Sequence, residues 1–363
     1  MTAWSRRTWG CRVSGCQIEG MEAVILENTV LRVVVLAGKG AEIIELTCKP
    51  KDVNVLWRAP NGVVNPRRTI TSVSREEGSF MDSYGGGWQE LFPTLGLPAR
   101  YYGAAMGEHG EVALLDWDVH VEHDEPERAS VSFSVRCLRS PFRLVRTMTL
   151  EGAERPVLDI CEQATNEGGE PLRFMWGHHP VLGPPFLEPG CKVNVRSGSV
   201  QATSGPGGSF SARGPATPWP WYVNAHGEKV DLSIVAHQGP GQVDELYLTD
   251  LETGEYEVRN DRLGVCFALR WDLQVFPYLW WWRGLGAQPG YPWYNRAYML
   301  GLELFSSVPP DFAGAERAGT TLSLGPGETM ACSLEAHLYC LSLGGSRGRE
   351  GQGGEEKPVA RQP

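Results

Sequence analysis

The sequence has no apolar run approaching the roughly 18 residues that cross a bilayer as a helix, which excludes an integral helical membrane protein. Positive charge is also short: 33 Lys and Arg stand against 43 Asp and Glu, a formal net charge of −10. That balance argues against nucleic acid, whose phosphates are met by Lys and Arg displacing counterions, and against an anionic membrane surface. The nine cysteines are odd in number and include no CxxC pair, so they read as reduced thiols of a cytoplasmic protein. Ser5-Arg6-Arg7 superficially matches a twin-arginine export signal, but Gly10-Cys11-Arg12-Val13-Ser14-Gly15 stands where an apolar run is required. There is no GxGxxG opening a helix, no GxxxxGK[ST] and no HExxH. The one GxSxG match, Gly344-Gly345-Ser346-Arg347-Gly348, lies outside any strand-to-helix pattern. Nucleotide binding, common zinc proteolysis and serine hydrolysis therefore lack support.

What remains is β pattern. Alternating or β-branched runs fall at 23–26, 31–36, 42–47, 112–121, 130–138, 142–150, 157–165, 172–176 and 192–195. More follow at 231–235, 246–249, 256–258, 265–271, 278–282, 298–305, 320–324 and 330–339. Turn residues punctuate them at Asn166-Glu167-Gly168-Gly169, Glu252-Thr253-Gly254 and Gly325-Pro326-Gly327. No segment of three helical turns carries a sustained apolar stripe. About seventeen short strands predict one large all-β sandwich or barrel. The pattern places this domain at 21–343, after a poorly ordered segment 1–20. Residues 344–363, rich in Gly, Pro and charge, read as a disordered tail. The Ser-, Gly- and Pro-rich stretch 197–220 reads as a loop or lid.

Several polar residues interrupt this apolar context. Gly85-Gly86-Gly87-Trp88-Gln89-Glu90 joins close backbone approach to an indole, an amide and a carboxylate. Gly107-Glu108-His109-Gly110-Glu111 places His109 and Glu111 two apart, on one face if the chain is extended. In Trp176-Gly177-His178-His179-Pro180, strand alternation lets only one of the two histidines face a given pocket. Glu303, flanked by Leu302 and Leu304, is costly to bury unless paired, and Asp244 opens an apolar run. Residues 278–282 and Trp293-Tyr294 offer flat aromatic surface, as sugars require and as cores also use.

Taken in order, these motifs resemble the galactose mutarotase-like (aldose 1-epimerase) superfamily over about residues 21–340. The resemblance implies a large antiparallel β-supersandwich with a sugar cleft. It implies His109, Asp244, Trp88, Glu90 and Glu111 as substrate-binding residues, His179 as general acid and Glu303 as general base. His178 takes the cleft position if the register slips by one. Such an enzyme interconverts anomers by taking the proton from O1 and protonating the ring oxygen O5, without metal or cofactor. An imidazole near its ordinary pKa of about 6.5 needs only a small upward shift to serve as the acid. Hexose-6-phosphate epimerases of this superfamily carry arginines beside the Gly-Gly and His-Gly motifs. Here those neighbourhoods hold none, and Arg67 and Arg68 are the nearest alternatives, so an uncharged sugar is the expected partner. A noncatalytic sugar-binding protein is the alternative, and a metal site using His109, His179 and a carboxylate is the third. The first two readings require Glu303 and one member of the His178/His179 doublet to share a single hollow.

Overall fold

The computed structural model describes residues 7–68, 80–202, 215–223, 227–237, 243–286 and 289–341. Eighteen of the described strands join in one antiparallel sheet, with three two-stranded sheets beside it, and a continuous hydrogen-bonded path runs through most of the large sheet, so the all-β class read from the sequence is the class observed. The path begins at Asp118–Glu125 and passes through Arg128–Arg136, Phe142–Glu151, Val157–Asn166 and Thr329–Cys340 to Val265–Trp271. It turns at Val243–Asn260, an 18-residue strand that pairs with Val265–Trp271 through its second half and with Tyr278–Leu285 through its first. From there it continues through Tyr298–Phe305, Gly177–Leu182, Trp88–Leu91 and Glu42–Cys48 to Leu31–Leu36 and Met21–Glu27. Among the described residues, no helix is long and apolar enough to cross a membrane. The longer of the two α-helices among the described residues, Phe312–Ala318, is only seven residues.

Three expectations need correction. The core does not begin at Met21: Arg12–Ile18 is a strand paired along its whole length with Met21–Glu27, and Cys11 and Val13 are buried. Gly15 and the polar residues around it hide this strand from a pattern search, because its partner rather than its own alternation holds it. The run 112–121 divides into a 3-10 turn, Val112–Leu114, and a strand that starts at Asp118. Glu252-Thr253-Gly254 is no turn but lies inside the long strand Val243–Asn260, where Gly254 leaves room for the carbonyl of Trp271. The proposed tail 344–363 and the middle of the 197–220 stretch lie outside the described residues.

The two halves of the path face each other across one core, and the contact between them includes ionised groups. Along Phe142–Glu151, inward positions read Phe142, Leu144, Arg146, Met148 and Leu150, so a guanidinium enters an otherwise apolar face. Its Nη2 lies 2.6 Å from Glu90 Oε2 and its Nε 2.5 Å from Glu162 Oε1. Nη1 donates to the carbonyl of Ala41 at 2.9 Å. Glu162 reaches His178 Nε2 at 2.9 Å, Trp88 Nε1 meets His178 Nδ1 at 3.3 Å, and Trp176 Nε1 donates to Glu90 at 2.9 Å. Burial pushes Glu162 up, but His178 and Arg146 more than offset it and hold the carboxyl near 2. Glu90, pushed up by burial and by Glu162, sits at about 8. Removing one partner of such a network strands buried charge. Arg146→Met is therefore expected to lower stability by about 3–5 kcal/mol, read by urea denaturation. A loss within 0.5 kcal/mol of zero, the range of an ordinary surface change, would show that the network contributes little.

Candidate functional site

The site starts from strand alternation at two consecutive histidines. In Gly177–Leu182, His178 pairs with Leu304 of Tyr298–Phe305, and both point into the core, where His178 joins the Glu162 network. His179 therefore takes the opposite face, with Glu303 of the neighbouring strand. His179 Nε2 lies 3.3 Å from Glu303 Oε1, and both side chains are almost fully enclosed. Leu302 and Leu304 pack into the core on either side, so Glu303 is neither exposed nor part of the apolar face. Gly301 makes room for it: a Cβ there would stand 2.5 Å from Glu303 Oε1.

Aromatic rings and a second imidazole surround this pair. Tyr84 Oη lies 3.4 Å from His179 Nδ1, giving both ring nitrogens a neighbour. The half-buried Trp282 lies 5.4 Å from the His179 ring and His109 lies 5.3 Å from it. Phe80, in the short helix Phe80–Ser83, touches both histidines, at 4.5 Å from His109 and 6.5 Å from His179. Gly96 N–H donates to His109 Nδ1 at 3.2 Å, so the proton of a neutral His109 sits on Nε2. The positive φ of His109 (63°), followed by that of Gly110 (78°), turns the imidazole inward.

Burial sets the charge state. It lowers His179 to about 4, and it holds His109 well below the ordinary imidazole range with help from His179. It raises Glu303 well above the usual carboxylate range, reinforced by Glu245. The small upward shift expected for His179 is thus reversed, because desolvation outweighs the backbone hydrogen bond that opposes it. The pair holds one proton, favoured on the carboxyl, which provides an acid and a base side by side.

The remaining expected residues divide. Trp88, Glu90 and His178 point away from His179 into the core network, where internal partners satisfy them. Sequence alternation alone separates Trp88 and Glu90 from Gln89, but it cannot say which face is the cleft. Glu111 does not share a face with His109, since the intervening turn is not extended. It accepts from the backbone N–H groups of Leu138 and Arg139 at 2.8 and 3.0 Å and from Ser140 Oγ at 2.8 Å. Asp244 occupies the register position opposite Arg283, and its side chain lies outside the described residues. Its neighbour Glu245 pairs with Trp282, on the face of His179 and Glu303, where it is exposed to solvent while the protein packed around it raises its carboxyl. Glu245 was missed because two adjacent acids differ only in register. The triple glycine serves backbone packing: a Cβ on Gly87 would stand 2.7 Å from the carbonyl oxygen of Ile43. Arg67 is paired with Asp116, and the guanidinium of Arg68 lies against Gly20. Among the described residues, no three His, Cys, Asp or Glu side chains are grouped to hold a metal ion.

The fold has relatives among known proteins. DUF4432, a domain of unknown function, matches residues 18–338, so the chain belongs to that family. A putative aldose 1-epimerase from Klebsiella pneumoniae superposes with a TM-score of 0.70 at 15% identity, covering 92% of this chain and 84% of that one. A galactose mutarotase-like protein from Lactobacillus casei gives 0.57 at 16% identity over 87% of this chain and 100% of its own. A putative aldose 1-epimerase from Escherichia coli K12 gives 0.59 at 14% identity, covering 89% of this chain and 100% of that one. No curated protein matches the sequence. The fold is galactose mutarotase-like.

The charge state is open to direct measurement. The His179 imidazole resonance, assigned by its loss in His179→Asn, should stay in the neutral form from pH 8 down to 5 and titrate near 4. A midpoint near 6.5 would contradict the burial argument. Between pH 6.5 and 4 the unfolded chain takes up a proton that folded His179 refuses, so this group's contribution to stability falls as pH drops through that window.

Proposed function

We propose that the protein is a carbohydrate 1-epimerase that interconverts the anomers of an uncharged aldose, with His179 and Glu303 as its acid–base pair. The observation that carries this reading is their 3.3 Å approach on one enclosed face, among aromatic rings. Ring opening moves one proton from O1 to O5, two oxygens bonded to the same carbon. Two adjacent groups holding one proton between them match that demand. In the form burial favours, the Glu303 carboxyl protonates O5 while the neutral His179 accepts the O1 proton, and the C1–O5 bond breaks to give an open-chain aldehyde. Rotation about C1–C2 presents the other carbonyl face, and the reverse transfers close the ring. Moving one proton across the His179–Glu303 contact gives the opposite assignment, Glu303 as base and His179 as acid, so either anomer can be the substrate.

The surrounding residues supply binding. His109 Nε2–H donates to a sugar oxygen, Trp282 offers a stacking surface, and Glu245 accepts from sugar hydroxyls. Arg67, one of the two arginines that could have met a phosphate, is instead paired with Asp116, which supports an uncharged sugar.

Glu303→Gln and His179→Asn should each slow anomer exchange by about 10²–10⁴-fold, measured by polarimetry and NMR exchange across a panel of neutral aldoses, with the fold retained by circular dichroism. Sugar binding without turnover in the unaltered protein, or full activity in Glu303→Gln, would overturn the assignment. The acid limb of the pH–rate profile should fall near pH 4, below which both groups are protonated, not near 6.5. Gly301→Ala pushes against the Glu303 carboxyl and should reduce kcat by about 10²-fold through misplacement alone. Unchanged kcat in that variant would mean that the carboxyl position is not critical.

A further inference from the structure

Two cysteines far apart in sequence are in sulfur contact. Cys48 ends the strand Glu42–Cys48 and Cys340 ends Thr329–Cys340, a separation of 292 residues, yet their Sγ atoms lie 2.9 Å apart. Cys48 is buried and Cys340 is exposed. Neither backbone is loose: Cys48 pairs with Leu31 on one side and Val53 on the other, and Cys340 pairs with Val265. Among the described residues no other two cysteines are in sulfur contact. Cys191 is engaged with the backbone of Glu188 and Phe186, and Cys332 faces Glu162.

We propose that Cys48 and Cys340 form a dithiol site that is oxidised to an intramolecular disulfide by exchange with a small-molecule disulfide such as oxidised glutathione. This departs from the expectation that every cysteine is a reduced thiol. The exposed Cys340 reacts first: its thiolate attacks one sulfur of the oxidant, forming a mixed disulfide and releasing one glutathione thiolate. Cys48 then attacks the Cys340 sulfur, the protein disulfide forms, and the second glutathione thiolate leaves. Two protein thiols are oxidised, one glutathione disulfide is reduced, and the two thiol protons pass to the released thiolates. Burial and the neighbouring sulfur push the Cys48 thiol up to about 12, so Cys48 is the slow partner and its proximity compensates.

The bond would tie an early strand to the last one and close a loop of nearly the whole domain, where cross-links constrain the unfolded chain most. Full-length protein incubated with oxidised glutathione should yield a Cys48–Cys340 linked peptide in non-reducing mass spectrometry. Its Tm should rise by on the order of 5 °C, and dithiothreitol should reverse both changes. Cys340→Ser should show neither. Cys48→Ala should stop at a stable glutathione adduct on Cys340. A wild-type protein that keeps glutathione on Cys340 without the linked peptide, that leaves Cys340 unmodified, or that links Cys340 to another cysteine would overturn the proposal. A linked protein with unchanged Tm would overturn the constraint it is held to impose.

Discussion

The strand Gly177–Leu182 lies between two neighbours, Trp88–Leu91 and Tyr298–Phe305, and its alternation cannot be changed without moving both. One imidazole is thereby committed to the interior and the next to the opposite face. The interior one is anchored by Glu162 and Trp88, which are themselves tied to Arg146 and to the sheet. A buried ionic cluster is an expensive way to fill a core, and apolar residues of the same volume often serve stability as well or better. Here it gives the strand a direction-specific attachment, and the outward imidazole inherits its position from it.

Enclosure then determines the chemistry on the outward side. Removing water from His179 and Glu303 penalises the charged form of each, so the proton settles on the carboxyl. An ion pair at this spot would hold its two members tightly together. A neutral acid beside a neutral base, in loose contact, can part for a ligand and still leave each member able to act on one oxygen.

Much of this was readable in the sequence. The alternation of Val131, Phe133 and Val135 and the apolar runs of the inner strands follow directly from residue type, and burial agrees with them. His179, Glu303 and His109 stood out as polar groups in apolar surroundings, and the fold brings these three together. What could not be read was facing. Trp88 and Glu90 have the composition of a sugar site, yet they serve the core; Glu245 was passed over for its neighbour, because only the pairing with Trp282 tells them apart. Glu111 was misplaced for a different reason: the left-handed backbone at His109 breaks the two-residue periodicity on which the reading rested.

The His178-His179 doublet carries a final implication for how the strand finds its alignment. Two identical residues in sequence cannot tell one surface from the other, and a strand displaced by one step would still present one imidazole to each surface. The letters of the doublet are ambiguous, so the decision falls to what flanks them. Gly177 fits against Phe305 and Leu95 where any side chain would collide, and Pro180 has no amide hydrogen to give to a wrong neighbour. Correct alignment is thus proofread by the two residues that flank the doublet and do no chemistry.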